Sequence, residues 1–248
     1  MLRKLLLSLV CLATFASAAS AAEKVIVFAS DATWPPMEFV NEQKQIVGFS
    51  VELLAAMGKA AGFKPEIKNV AWDGIFAGLT AKKYDAISSS VSITDERKNT
   101  MDFSDPYFEV KQGVVVQKGS PAKTAADLKG KTVGAQIGTT GFFAAKKIEG
   151  ATPKSYDEIG LAIEDLYSGR LDAVICDDAI AANYALQHPQ YSQKLALAFL
   201  LKSDTPEYLG FAFPKGDKDN IALVNKGLKM VKESGEYDKI VAKWFGSK

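Results

Sequence analysis

The chain has 248 residues, with 30 basic against 29 acidic side chains and a single histidine. That balance offers no basic field for nucleic acid. One histidine, His188 beside Pro189, excludes a His-rich metal centre and makes histidine-based catalysis a poor expectation.

The first 22 residues read as a secretory signal: Arg3 and Lys4 give the positive start, Leu5 to Phe15 the apolar core, and Ser20-Ala21-Ala22 the small-residue cleavage site before Glu23. That core is too short to span a bilayer, and Cys11, preceded by the bulky Val10, is a poor lipidation site. Cleavage would leave 28 basic residues against 29 acidic and one cysteine, Cys176, so no intramolecular disulfide could form. The expected destination is outside the cytoplasm. Stability must then come from apolar burial, and 226 residues can supply one core or two smaller ones.

The remaining chain alternates strands and helices. Lys24 to Ser30 (KVIVFAS) is a buried strand, followed by a loop with Trp34-Pro35-Pro36 and a polar hairpin around Asn41 to Gln45. Val51 to Ala61 has helical spacing and is closed by Gly62. Pro65 to Val70 reads as a strand, Gly74 to Ala81 as a helix, and Asp85 to Ser88 as a third strand that the serine run should end. Strand, helix, strand, helix, strand in that rhythm predicts α/β architecture, a mainly parallel sheet covered on both faces. Past Tyr107 the pattern restarts: strands at Gly113–Gln117, Thr132–Ala135 and the LDAVICDD run ending at Asp177, with helices at Ala125–Leu128, from the Gln136–Gly141 loop to Lys147, and at Asp157–Ser168. Strand-like Tyr208–Phe213 and helices at Asp219–Ser234 and Tyr237–Phe245 finish the chain. Two α/β units without a flexible tether predict two lobes packed around a cleft.

Ligands of open α/β sheets bind at the carboxyl ends of the strands. That rule selects Asp31 and Trp34, Trp72, the group Ser89, Ser90, Ser92 and Arg97, then Gln136 and Thr140, and finally Asp177. As chemistry the set offers a planar guanidinium for a carboxylate (Arg97), an ammonium acceptor (Asp177), a second acid (Asp31), two aromatic plates and several neutral donors. An α-amino acid needs the first two together. Each residue also has a plainer reading. Arg97 could pair with Asp95 or Glu96 in a solvated turn, and the tryptophans could be core aromatics. Asp31 could cap a local turn, and Asp177 could cap the helix behind it.

The motifs DATWPPMEF (Asp31 to Phe39), GFSVEL (Gly48 to Leu53), WDGIFAGL (Trp72 to Leu79), SSSVSITDER with its following DFSDPY, GTTG and LDAVICDD span the chain beyond the signal. In these the chain resembles the periplasmic amino-acid-binding proteins of ABC transporters, in the branch for polar and basic amino acids. The resemblance implies a two-lobed clamp joined by two hinge strands. Residues 23–111 and 205–248 would form one lobe and residues 112–204 the other. It implies that Arg97 grips the ligand carboxylate, helped by Ser92 and Thr140. Asp177 and Ser90 would take the ammonium, with Ser89 lining the floor. Asp31 would read the far end of the ligand between Trp34 and Trp72, while Gln136 has no settled role. It further implies a monomer that serves an inner-membrane permease and its ATPase, with no cofactor and no catalytic residue. The alternative is a secreted enzyme on the same fold, of the cyclohexadienyl dehydratase type, which would need a general acid in the cleft. Asp31 between two tryptophans suggests a cationic ligand side chain, arginine or lysine first and histidine next, with glutamine or another polar amino acid as runner-up.

Overall fold

The computed structural model describes residues 23–246; the expected signal segment lies outside them. Two β-sheets form the centres of two α/β lobes. In the first, Lys24–Ser30 runs parallel between Phe63–Asn69 and Ala86–Ser92. Beyond Ala86–Ser92 lies Glu207–Pro214, antiparallel to it, and the short strands Met101–Phe103 and Phe108–Val110 pair with its other edge. In the second, Thr152–Tyr156, Thr132–Gln136 and Ala173–Asp177 run parallel, and Gln112–Gln117 is antiparallel both to Ala173–Asp177 and to Leu195–Leu200. Each sheet is therefore mainly parallel with one reversed strand. In both it is the strand the chain enters on leaving the other sheet: Gln112–Gln117 on the way out, Glu207–Pro214 on the way back.

Apolar periodicity accounts for the helices that cover these sheets. In Phe49–Ala61 the buried side chains Phe49, Leu53, Leu54 and Met57 fall on one stripe, and the helix stops at Gly62, whose φ of 83° allows its N–H to close on Gly58 O. Ile159–Tyr167 buries Ile159, Ala162, Ile163 and Leu166 against the second sheet in the same way. Fully buried side chains in strands face these stripes, among them Ile26, Phe28, Phe211 and Phe213 in the first sheet and Val115 and Val174 in the second. A small three-stranded sheet, Thr33–Trp34, Glu38–Val40 and Ile46–Val47, sits beside the first lobe and carries Trp34.

The serine run does not end its strand. Ala86–Ser92 continues through Ser88, Ser89 and Ser90, and every residue in it is buried. The strand is paired on either side of the serines, at Ala86 and Ile87 before them and at Val91 and Ser92 after them, and burial within the sheet carries it through. The serines do break the regularity: the register with Glu207–Pro214 shifts between Ile87 and Val91, and Ser90 stands at φ 47°.

Candidate functional site

The strand ends of both lobes meet at one place. Asp31 directly follows Lys24–Ser30, Gln136 and Asp177 are the last residues of Thr132–Gln136 and Ala173–Asp177, and Thr140 opens the helix Thr140–Lys147. All ten residues singled out from the sequence line one cavity, together with Thr139. Its volume is about 20 Å³, room for about one water. An open groove of about 1580 Å³ adjoins it on the Arg97 side and shares Trp72, Arg97 and Thr140 with it.

Arg97 is placed by its own short helix. Thr94 caps Asp95–Lys98, its hydroxyl accepting from Arg97 N at 3.2 Å. The guanidinium turns inward, donating from Nη1 to Ser92 O at 3.0 Å and from Nη2 to Gly138 O of the other lobe at 3.1 Å. It lies 5.5 Å from the Trp72 ring and 5.2 Å from the Phe76 ring. Neither Asp95 nor Glu96 pairs with it; Asp95 pairs with Lys98 instead. Burial pulls its pKa down, and the charges of Glu207, Asp177 and Glu96 pull it back. Gly138 makes the approach possible: at φ 71° it is in left-handed backbone, and a Cβ there would lie 3.4 Å from the Trp72 indole nitrogen.

Asp177 is the first residue ahead of the helix Asp178–Ala182, yet its side chain does not cap it. One oxygen accepts from Gln112 Nε2 at 2.8 Å and the other from Trp34 Nε1 at 3.4 Å, across the lobes. Burial, and then the nearby charge of Glu207, push its pKa up to about 7. Asp31 fulfils both of its readings. Oδ1 accepts from the Thr33 hydroxyl at 2.8 Å in a local turn, while Oδ2 faces the cavity and accepts from Gln136 Nε2 at 2.9 Å and Trp72 N at 3.3 Å. Burial raises its pKa against those three bonds. Among the described residues no ion pair involves Arg97, Asp31 or Asp177.

Trp34 and Trp72 are each 8% exposed and belong to the apolar clusters of the fold as well as to the cavity wall. Ser89 accepts from Asp31 N at 2.9 Å, and Ser90 Oγ is buried without a partner. The single Ser92 proton goes to Glu207 Oε1 at 2.6 Å, and Ser92 and Thr140 hydroxyls stand 3.4 Å apart. Two residues of the site, Gln112 and Glu207, were not read from the sequence, and Thr139 is legible there only as part of a helix start. Thr139 caps the helix Thr140–Lys147 through Phe142 N and also lines the cavity. Gln112 and Glu207 begin the two reversed strands, and only the crossing of the chain brings them together, Nε2 to Oε2 at 3.1 Å. Cys176, beside Asp177, is a buried free thiol. Among the described residues no cluster of His, Cys, Asp and Glu could hold a metal ion, and no helix is long and apolar enough to cross a membrane.

Known proteins resemble the chain in both sequence and fold. The chain is 41% identical over 226 residues to a probable histidine-binding protein of Neisseria gonorrhoeae, covering 90% of this chain and 83% of that one. It is 37% identical to the ABC transporter arginine-binding protein 1 of Escherichia coli, covering 98% and 99% of the two chains. The crystal structure of the arginine-, lysine-, histidine-binding protein ArtJ from Geobacillus stearothermophilus superposes with a TM-score of 0.83 at 43% identity, over 91% of this chain and 96% of that one. The two-lobed fold is that of periplasmic binding proteins, and these relatives are transport proteins rather than enzymes. With its residues 26–247 matching the family model, the chain belongs to the bacterial extracellular solute-binding proteins, family 3.

Proposed function

We propose that the chain captures an L-amino acid with a cationic side chain between its lobes and delivers it to a membrane permease driven by an ATPase. The observation that carries this reading is the set of three ionisable groups, Arg97, Asp177 and Asp31, that line one cavity with no ion-pair partner among the described residues. Buried charges are costly unless paired, and a basic amino acid supplies all three partners at once. Its carboxylate would meet Arg97, its α-ammonium Asp177 and Ser90, and its side-chain cation Asp31, with Trp34 and Trp72 against the stem. Thr140, at the start of its helix, adds donors to the carboxylate. The relatives named for arginine, lysine and histidine support that ligand class.

Residues 23–111 with 205–248 would move as one body and residues 112–204 as the other, the hinges lying where the chain crosses between sheets. A cavity of about 20 Å³ admits no amino acid, so capture requires the lobes to part and close again around the ligand. The closed face is then what a permease would recognise. The protein would act as a monomer in the periplasm after removal of residues 1–22.

Isothermal calorimetry with arginine, lysine, histidine and glutamine tests the ligand class. Basic amino acids should bind more tightly than glutamine, and glutamine binding tighter than both arginine and lysine would overturn the reading. Glutamine is the second reading because the Gln136 amide already sits on Asp31 Oδ2, as a glutamine side chain could.

A further inference from the structure

The two segments that cross between lobes touch through side chains. Glu207 and Gln112 are the first residues of the strands Glu207–Pro214 and Gln112–Gln117, and Gln112 Nε2 donates to Glu207 Oε2 at 3.1 Å. The same amide nitrogen lies 2.8 Å from Asp177 Oδ1 and 3.2 Å from Thr140 Oγ1. The other Glu207 oxygen takes the Ser92 proton at 2.6 Å. One hinge carboxylate is thus tied by one amide to the acid at the ammonium end of the cavity and by one hydroxyl to the strand whose carbonyl holds Arg97. Gln112 has little freedom to leave: its side chain is 8% exposed and packs so closely on Gly141 that a Cβ there would lie 2.9 Å from Gln112 Oε1.

Two carboxylates held by one amide nitrogen interact through a short path. A second negative charge there disfavours ionisation of the first. The ammonium of a ligand needs Asp177 ionised, because only the carboxylate form offers acceptors on both oxygens and a countercharge.

We propose that Glu207 is a positioning residue of the site, acting from the hinge through Gln112 to set how readily Asp177 ionises and therefore the pH range in which the protein captures its ligand. The inference rests on the reading that Asp177 takes the ligand ammonium. The groups facing Asp177 are Glu207, its neighbour Asp178, the Gln112 amide and the Trp34 N–H. Asp177 in turn is felt by Arg97, Glu38, Tyr107 and Cys176. Glu207 is the nearby charge that weighs most on it, second only to burial, and the position about 7 that results lies inside the physiological range. Capture at neutral pH should release part of a proton from Asp177, and acidification should weaken binding by up to about tenfold per pH unit below that midpoint.

Three measurements test this. First, the Asp177 carboxyl carbon is followed by NMR from pH 4 to 9 in the ligand-free protein. Its midpoint should fall by about half a unit or more in Glu207→Gln and stay near wild type in Glu207→Asp, which keeps the charge. Second, L-arginine affinity is measured by calorimetry from pH 5 to 7.5, where the acid limb should move down with the NMR midpoint. Third, wild-type titrations at pH 7 in buffers of different ionisation enthalpy should show fractional proton release. An Asp177 midpoint equal in wild type and Glu207→Gln overturns the inference, as does the absence of proton release from the wild type. Should Glu207→Gln fail to fold, Glu207→Ala also removes the charge and should lower the same midpoint. Asp177→Asn separates the two levels. If it keeps full arginine affinity, the ammonium reading fails. If it loses affinity while Glu207→Gln leaves the midpoint unmoved, the Glu207 inference alone fails.

Discussion

Gln136 of one lobe seats its amide on Asp31 of the other, Nε2 to Oδ2 at 2.9 Å, and a second hydrogen of the same nitrogen goes to Asp157 O at 2.8 Å. The position proposed for the ligand's side-chain cation is thus held by a neutral donor that a ligand must displace. An amide and a cation differ at Asp31 chiefly in charge, and a hydrogen bond to a charged partner is worth about 1.5–3 kcal/mol. Asp31→Asn should therefore weaken arginine and lysine binding by roughly 10- to 150-fold, while glutamine changes only a few-fold. Equal losses for arginine and glutamine, measured by calorimetry, would show that Asp31 does not read the ligand's charge.

Arg97 gives a second prediction. Its guanidinium is held by two backbone carbonyls and two aromatic rings and has no carboxylate within ion-pair distance among the described residues. If it holds the ligand carboxylate, truncation leaves a buried anion unpaired, a loss of about 3–5 kcal/mol, or roughly 10²- to 10³-fold or more in affinity. Arg97→Lys should lose most of this too, since one ammonium does not reproduce two parallel donors. The ligand-free melting temperature should stay near wild type while the ligand-induced rise largely vanishes. An Arg97→Ala protein with its affinity and full ligand shift intact returns Arg97 to a structural role.

Closure is the third. Trp34–Asp177, Gln136–Asp31, Arg97–Gly138 and Ser92–Thr140 each join one lobe to the other. Each net hydrogen bond contributes about 1 kcal/mol, so four of them compete with the ligand's own closing contacts. Gln136→Leu should open the ligand-free protein, seen as a larger radius of gyration by small-angle scattering, and saturating L-arginine should compact it again. A radius unchanged by both the substitution and the ligand would rule out a hinged clamp.

Much of this was legible in the sequence because strand ends and polar clusters coincide. Asp31, Gln136 and Asp177 stand where runs of buried residues stop, and that position is what the rule for open α/β sheets selects. Glu207 and Gln112 were not legible, since their importance comes from two chain crossings far apart in sequence that meet in space. Glu207 reads locally as one more charge in the polar segment Lys202 to Glu207. The strand Thr152–Tyr156 was missed because it is a polar edge strand containing Pro153, the kind of position where proline is tolerated and alternation is weak. The serine run misled for the opposite reason: its turn preference is real, but two-sided burial in a sheet outweighs it.

Glu38 yields the last prediction, one of stability. It lies on the short strand that pairs with Trp34, is 0% exposed, and neither carboxyl oxygen has a hydrogen-bond partner. Burial pushes its pKa well above the carboxylate range, the charges of Asp31 and Asp177 add to the shift, and the hydroxyls of Ser90 and Ser50 only partly oppose it. The folded protein thus holds a proton on Glu38 that the unfolded chain gives up near its ordinary value of 4.5. Between those two pKa values the folded state binds more protons than the unfolded state, so stability falls as pH rises through this window and levels off above the folded pKa. Glu38→Gln has the same shape, no charge and nothing to titrate. Its stability should equal or trail wild type at pH 4.5 and then gain on it by up to about 1.4 kcal/mol per pH unit. In melting temperature that is about 2–4 °C per kcal/mol for a protein of this size. Shifts elsewhere, such as the lowered pKa of Asp165, are common to both proteins and cancel in the difference. Thermal melts of the ligand-free pair from pH 4.5 to 8 decide it: a constant gap across that range would mean that the Glu38 carboxyl ionises inside the fold at no cost.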